Sequence, residues 1–159
     1  MQFTERLPPT SLRVELHSAP AANHKIRERT DAEIIRLEQA PASEFQARLR
    51  ELDLEPDVEQ ILQTNASIIV LLGLYFGAKF DKRFLLLPAA VFSFFGQHAI
   101  QGWCPPIPLF RRLGFRTQRE IERERYAIKA LRGDFDEVSD KRDLPAAERI
   151  RAVLAAVDK

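Results

Sequence analysis

The sequence predicts an all-α protein: a two-helix antiparallel transmembrane hairpin, flanked by short amphipathic cytoplasmic helices and an extended N-terminal arm. Three observations predict it. No residue between Glu59 and Lys79 is charged. None between Arg83 and Arg111 is charged when His98 is neutral, and only KFDKR, Lys79 to Arg83, divides the two runs. A helix needs about 20 apolar residues to cross a bilayer core, so each run is long enough. The third observation is what lies outside. Residues 24–58 and 111–159 are rich in charge and short of large apolar side chains. They could not cover two helices that are apolar all round, and such helices belong in a large core or in lipid.

Composition narrows the function classes. With 159 residues, the chain is one domain, or a small domain with tails. Lys and Arg number 24 against 23 Asp and Glu, so no basic excess points to nucleic acid. One cysteine makes neither an internal disulfide nor a two-pair zinc site. His17, His24 and His98 have no partner at ligand spacing, so neither a metal nor a cofactor is predicted. The mean hydropathy is slightly negative only because charged flanks average against apolar runs. The chain starts without a charged n-region and cleavage site, so neither run is predicted to be a cleaved signal peptide.

Each element can be justified in order. Residues 1–23 hold Pro8, Pro9 and Pro20 and little periodicity. SLRVELH, Ser11 to His17, alternates like a strand but has no hairpin partner nearby, so this stretch is predicted to be an extended or flexible arm. Residues 24–58 form a cytoplasmic helical segment. TDAE, Thr30 to Glu33, has capping-box form and predicts a helix over about 24–39, ending before Pro41. A second start lies at Ser43, with Phe45, Leu49 and Leu52 on one face. The helix restarts near Pro56, a residue tolerated in a first turn, and runs to Phe80 as the first membrane helix.

The second membrane helix is predicted from Phe84 to Trp103, with Pro88 in its first turn, closing a hairpin over 59–103. The short connection makes the two helices antiparallel neighbours. Residues 104–116 form a Pro-rich interfacial segment, where Pro105, Pro106 and Pro108 stop the helix. Residues 117–159 hold the C-terminal helices. TQRE, Thr117 to Glu120, is another capping box, and Gly133 suits the position after the helix it opens. That helix carries sparse apolar positions, Ile121, Ile128 and Leu131, and is expected on the headgroups or in water. A last helix, Pro145 to Val157, shows Ile150, Val153, Leu154 and Val157 on one face.

Few residues stand out as sites, and no catalytic set is predicted. Gly73 and Gly77, one turn apart, make a groove for close helix packing. Ala89, Ser93 and Gly96 form the matching small face. The contact either closes the hairpin within one chain or also builds a dimer. Gln97, His98 and Gln101 lie in the last turns of the second helix. They read as headgroup-level residues beside Trp103, an interface anchor, or as a polar notch opening toward Cys104. Cys104 follows a helix C-terminus, whose dipole disfavours the thiolate, unless Arg111, Arg112 and Arg116 fold back to offset it. The expectation is a thiol near water that marks the cytoplasmic membrane boundary but is not activated.

GWCPPIPLFRRLGFRT, following a tight apolar hairpin, resembles the YgaP-like transmembrane domain of bacterial inner membranes. That domain stands alone or behind a rhodanese sulfurtransferase domain. The resemblance covers roughly residues 60–117, and the pattern from QHAIQGWCPP through ERYAIKALRGDF is similar to stand-alone bacterial relatives. It implies an inner-membrane protein with both termini cytoplasmic, whose hairpin helps form a dimer. Only the interface cysteine carries over, onto Cys104. The sulfurtransferase activity does not: Pro105 and Pro106 lack the N–H groups a persulfide cradle needs, and there is no α/β domain.

Three functions are thus expected, in this order. The first is a non-enzymatic membrane hairpin that oligomerises or docks a cytoplasmic or membrane protein, near sulfur or thiol metabolism. The second is a carrier of reactive sulfur species on Cys104. The third is a small oligomeric pore lined by Gln97, His98 and Gln101. In each, the bilayer and a second copy of the chain are the expected partners, and nucleic acid is not.

Overall fold

The computed structural model describes residues 7–136, 138 and 145–158. Among them every regular element is helical. The helices are α1 (Arg13–Leu16), α2 (Pro20–Glu38), α3 (Ala42–Leu54), α4 (Val58–Lys79), α5 (Leu86–Gln101), α6 (Ile107–Leu113), α7 (Gln118–Leu131) and α8 (Ala146–Asp158). A 3₁₀ turn, Lys82–Leu85, precedes α5. The chain divides into two compact units, one of residues 1–28 and 56–120, the other of residues 29–55 and 121–159.

The first unit holds α4 and α5, both long and apolar enough, the latter with its 3₁₀ turn, to cross a membrane. Asp57 caps α4 by accepting a hydrogen bond from the Gln60 N–H at 2.7 Å. Asp81 accepts from the Arg83 N–H at 2.8 Å and starts the 3₁₀ turn. The two helices meet where α4 has no side chain. A Cβ on Gly73 would lie 2.6 Å from Pro88 Cδ, and one on Gly77 would lie 2.5 Å from Leu85 Cδ2. The expected partners of these glycines, Ala89, Ser93 and Gly96, do not take part. All three are exposed, and nothing lies within 4 Å of a Cβ built on Gly96. The reason is register: Pro88, a flat ring in the first turns of α5, fills the groove before the small face can reach it.

Other expectations are corrected here. The arm is not extended over its described part: α1 forms, α2 begins at Pro20, and Val14 is buried beside Val58, Leu62, Cys104 and Ile107. Residues 1–6 of the expected arm lie outside the described residues. Alternation over seven residues cannot hold a strand without a pairing partner, whereas burial of Val14 rewards one helical turn. The Thr30–Glu33 capping box does not start a helix, because α2 already runs through it and Thr30 is buried in mid-helix. No Gly or Pro interrupts residues 21–38, so a helix begun at Pro20 has no reason to restart.

The prolines do not end the second apolar helix. Gly102 ends it, at φ 79°, with its N–H bonded to His98 O at 2.7 Å. The prolines instead open α6, with Pro106 before its first residue and Pro108 in its first turn. There the missing N–H had no intrahelical acceptor.

In the second unit the expected face of α3, Phe45, Leu49 and Leu52, is buried with Leu37, Ile121 and Ile128. Ile121 and Ile128 were expected on headgroups or in water. They are core residues because two turns of α7 bring them onto one face, opposite the large side chains of α3. Glu124, fully buried between them in sequence, accepts from Arg48 Nε at 2.7 Å. Arg123 pairs with Asp31 at 2.9 Å, and Arg125 pairs with Asp53. Lys129 Nζ donates to Val157 O of α8 at 2.6 Å. Residues 137, 139–144 and 159 of the expected C-terminal segment lie outside the description, apart from Val138 between them.

Candidate functional site

The polar centre of the first unit lies where the ends of α4 and α5 meet α1. Glu59 stands in the first turn of α4, where a carboxylate suits the helix dipole. Its Oε2 accepts from His98 Nε2 at 2.8 Å, and its Oε1 accepts from Arg13 Nη2 at 3.1 Å. A carboxylate only accepts, so His98 carries a proton on Nε2. His98 is 2% exposed and stacks on Phe95, with ring centroids 6.4 Å apart. Its Nδ1 is buried without a hydrogen-bond partner, and so is Arg13 Nε.

Gly102 serves this centre twice. Its left-handed φ stops α5 just past His98. Its bare face also seats α1, because a Cβ there would lie 2.5 Å from the Arg13 carbonyl carbon and 2.6 Å from Arg13 Cβ.

A second buried polar cluster holds α6 to the start of α7. Arg111 is 1% exposed. Its two terminal nitrogens donate to the two Glu120 oxygens at 2.6 and 2.7 Å. They also donate to Phe115 O at 3.0 Å and to Asn23 Oδ1 at 2.8 Å. Thr117 and Glu120 form the capping box that the sequence predicts. The Thr117 N–H donates to Glu120 Oε2 at 2.8 Å, and the Glu120 N–H donates to Thr117 Oγ1 at 3.3 Å. Burial would raise the Glu120 carboxyl, but Arg111 and the Thr117 groups outweigh it and hold it below the ordinary carboxylate range.

The other expected site residues fall as follows. Gln97, His98 and Gln101 do not form one notch. Gln97 is half-buried, Gln101 is exposed, and only His98 is buried. Gln97 and Gln101 share a face at one-turn spacing, while His98 points about 100° away from Gln97. Cys104 is not near water. It is 5% exposed in the apolar cluster with Val14, Val58, Leu62 and Ile107, and this burial pushes its thiol up. Arg111, expected as a possible offset, is engaged by Glu120. Trp103 is half-buried between Gly102 and Cys104.

Sequence reasoning missed Arg13, Glu59 and the depth of Arg111. Glu59 was visible as the last charge before the apolar run, and Glu120 as the end of a capping box. Nothing local marked Arg13.

Chemically, the Glu59 centre sets one carboxylate between a guanidinium and an imidazole N–H. It presents no activated nucleophile. Among the described residues no three His, Cys, Asp or Glu side chains are grouped to hold a metal ion. The class defined is therefore an all-helical protein with two helices fit to cross a membrane and a buried polar centre at their ends. Compared with known protein families, with characterised proteins and with solved structures, the chain finds no match.

Proposed function

We propose that this is a non-enzymatic membrane protein. On this reading α4 and α5 span the bilayer as a hairpin, the remaining helices lie in the cytoplasm, and the protein acts by self-association and by docking a protein partner. The single observation that carries it is exposure. Of the most apolar stretch of each span, only 17% and 11% is buried. A core helix of a soluble protein would be mostly buried. Here Ile68, Leu71, Leu72, Phe92, Phe94 and Ile100 all face outward. A continuous apolar surface of this extent on a folded chain needs lipid or another chain to cover it.

The YgaP-like resemblance supports a bacterial inner membrane, cytoplasmic termini and a setting near sulfur or thiol metabolism. Gly73 and Gly77 are filled within the chain, so Ala89, Ser93 and Gly96 are the small face left for a second copy. Trp103 then stands at headgroup level. The sulfur-carrier reading is disfavoured by the burial of Cys104, and the pore reading by the divergent directions of Gln97, His98 and Gln101.

The test combines extraction and labelling. The protein should stay in the membrane pellet after alkaline carbonate washing. In a Cys104→Ala background, Asp81→Cys should react with an impermeant maleimide added to intact cells. Release by carbonate would refute the membrane reading, and labelling only after lysis would invert the topology. Gly96→Ile should abolish a crosslinked dimer while leaving the monomer folded. An unchanged dimer would remove that face from the proposal.

A further inference from the structure

We infer that the chain assembles head to tail into a ring of more than two copies, the polar face of α4 in one copy lying on the small face of α5 in the next. The inference rests on the membrane reading above and names the contact through which copies associate.

The α4 span is uncharged but not apolar throughout. Only Ile68 to Ala78, eleven residues, is free of polar side chains apart from Tyr75. At about 1.5 Å per residue this stretch covers about 16 Å of a bilayer core of about 30 Å. The hairpin tip fixes the depth. Lys79, Lys82 and Arg83 are exposed around the turn, and cations belong at headgroup level rather than in hydrocarbon. With Lys79 at the far boundary, Ser67 stands roughly 18 Å down the helix and Gln63 roughly 24 Å, both still inside the core.

These polar residues point away from the rest of the hairpin. Gln60, Gln63, Thr64 and Ser67 recur at i, i+3, i+4 and i+7, so they share one face of α4, and all four are exposed. The buried Val58, Leu62, Gly73 and Gly77 occupy the other side. Ser67 Oγ donates to Gln63 O at 2.8 Å within the helix. The side chains of Gln60, Gln63 and Thr64 have no hydrogen-bond partner among the described residues. At this depth polar side chains face protein or water, not lipid.

The chain itself carries a surface that fits. Gly73 faces Pro88, Gly77 faces Leu85 and Glu59 bonds His98, which sets the register of the two helices. Ser67 therefore lies at about the height of Ser93, and Thr64 at about the height of Gln97. Ala89, Ser93 and Gly96 are exposed on the side of α5 away from its buried Pro88 and His98. Nothing lies within 4 Å of a Cβ built on Gly96, so a neighbouring helix can approach closely there. Gln97 borders this face, half-buried, and its amide both donates and accepts, as the Gln63 amide and the Thr64 hydroxyl do. Small residues and interhelical hydrogen bonds are what associate helices in lipid. The two faces point in opposite directions across the hairpin, so a two-fold pair can use one of them and leaves the other uncovered. Docking α4 on the α5 of the next copy uses both, and such a contact repeats until the circle closes.

Cysteine pairing of the full-length protein in its membrane tests this. In a Cys104→Ala background, chains carrying both Ser67→Cys and Ser93→Cys are oxidised with copper phenanthroline. They should yield a ladder of linked species that continues above the dimer. Either substitution alone should yield monomer. Thr64→Cys with Gln97→Cys should give the same ladder. Adding Gln63→Leu and Thr64→Val to the Ser67/Ser93 pair should lower the linked yield roughly threefold or more, although it makes the face more apolar. Dimers from a single cysteine, bonds only to other proteins, no ladder from either pair, or an unchanged yield in the apolar variant each overturn the ring. Alkaline carbonate washing of the same membranes separates the two readings. A protein that is retained without a ladder refutes the ring alone, and one that is released refutes the membrane reading and the ring with it.

Discussion

Two half-buried carboxylates in the first unit each meet a guanidinium, and they meet it differently. Glu120 receives Arg111 fork to fork, and its Oε2 also accepts from the Thr117 N–H. Glu59 is split between Arg13 and His98, one oxygen to each. Bidentate pairing fixes distance and angle together, so the first cluster has one arrangement. A carboxylate serving two elements can favour either. The first cluster pins α6 to α7, and the second can be adjusted.

The sharpest way to break the comparison is to remove Arg111. Arg111→Met leaves Glu120, whose side chain is only 16% exposed, without its cation. Breaking a buried pair from one side costs roughly 3–5 kcal/mol, which chemical unfolding in detergent should register. A loss below about 1 kcal/mol would make this pair no stronger than a surface bridge.

Acid should divide the two clusters next. The folded Glu120 carboxyl lies below its ordinary value of about 4.3, so its contribution is complete above that pH. It should fade as pH drops through the lower folded value. Unfolding measured from pH 7 downward should show that decline, and Glu120→Gln, though less stable, should lack it. The same slope in both proteins would assign the acid effect elsewhere.

Gly102→Ala strains the adjustable cluster through the backbone. A left-handed φ with a Cβ costs about 1–2 kcal/mol, and this Cβ also strikes Arg13. The melting temperature should fall, with extra exchange at α1. A lowered melting temperature with α1 unaffected would separate the helix stop from the seat. Smallest of all, Arg13→Gln should cost less than about 1 kcal/mol in global stability, since solvent screens its pair with Glu59. A loss equal to that of Arg111→Met would erase the distinction between the clusters.

What the sequence made legible follows from range. The two apolar spans were readable because a run of uncharged residues is a local property. So was the α3 face, whose Phe45, Leu49 and Leu52 repeat at helical spacing. The capping box at Thr117 was read correctly and the one at Thr30 was not, although the patterns match. The difference lies upstream. Gly114 stops α6 before Thr117, whereas nothing between Pro20 and Thr30 stops α2. Gly102 was overshadowed by the prolines beside it, yet its freedom at positive φ decided the helix end. The Glu59 centre was illegible because its partners are remote. Arg13 is 46 residues from Glu59, and His98 is 39. No spacing rule links such positions.

The tie between Asn23 and Arg111 spans 88 residues, and it sets a schedule for synthesis. At a translation rate of roughly 5–20 residues per second, Asn23 waits some 4–18 s for its partner to be made. For much of that interval the N-terminal segment precedes apolar helices that are still being made. Its seat at Gly102 does not yet exist. The segment must stay unattached until the helices have found their place, and only a chain extended past Arg111 can gather it in. A nascent chain halted before residue 102 should therefore present this segment to a chaperone or a protease, and the finished protein should hide it.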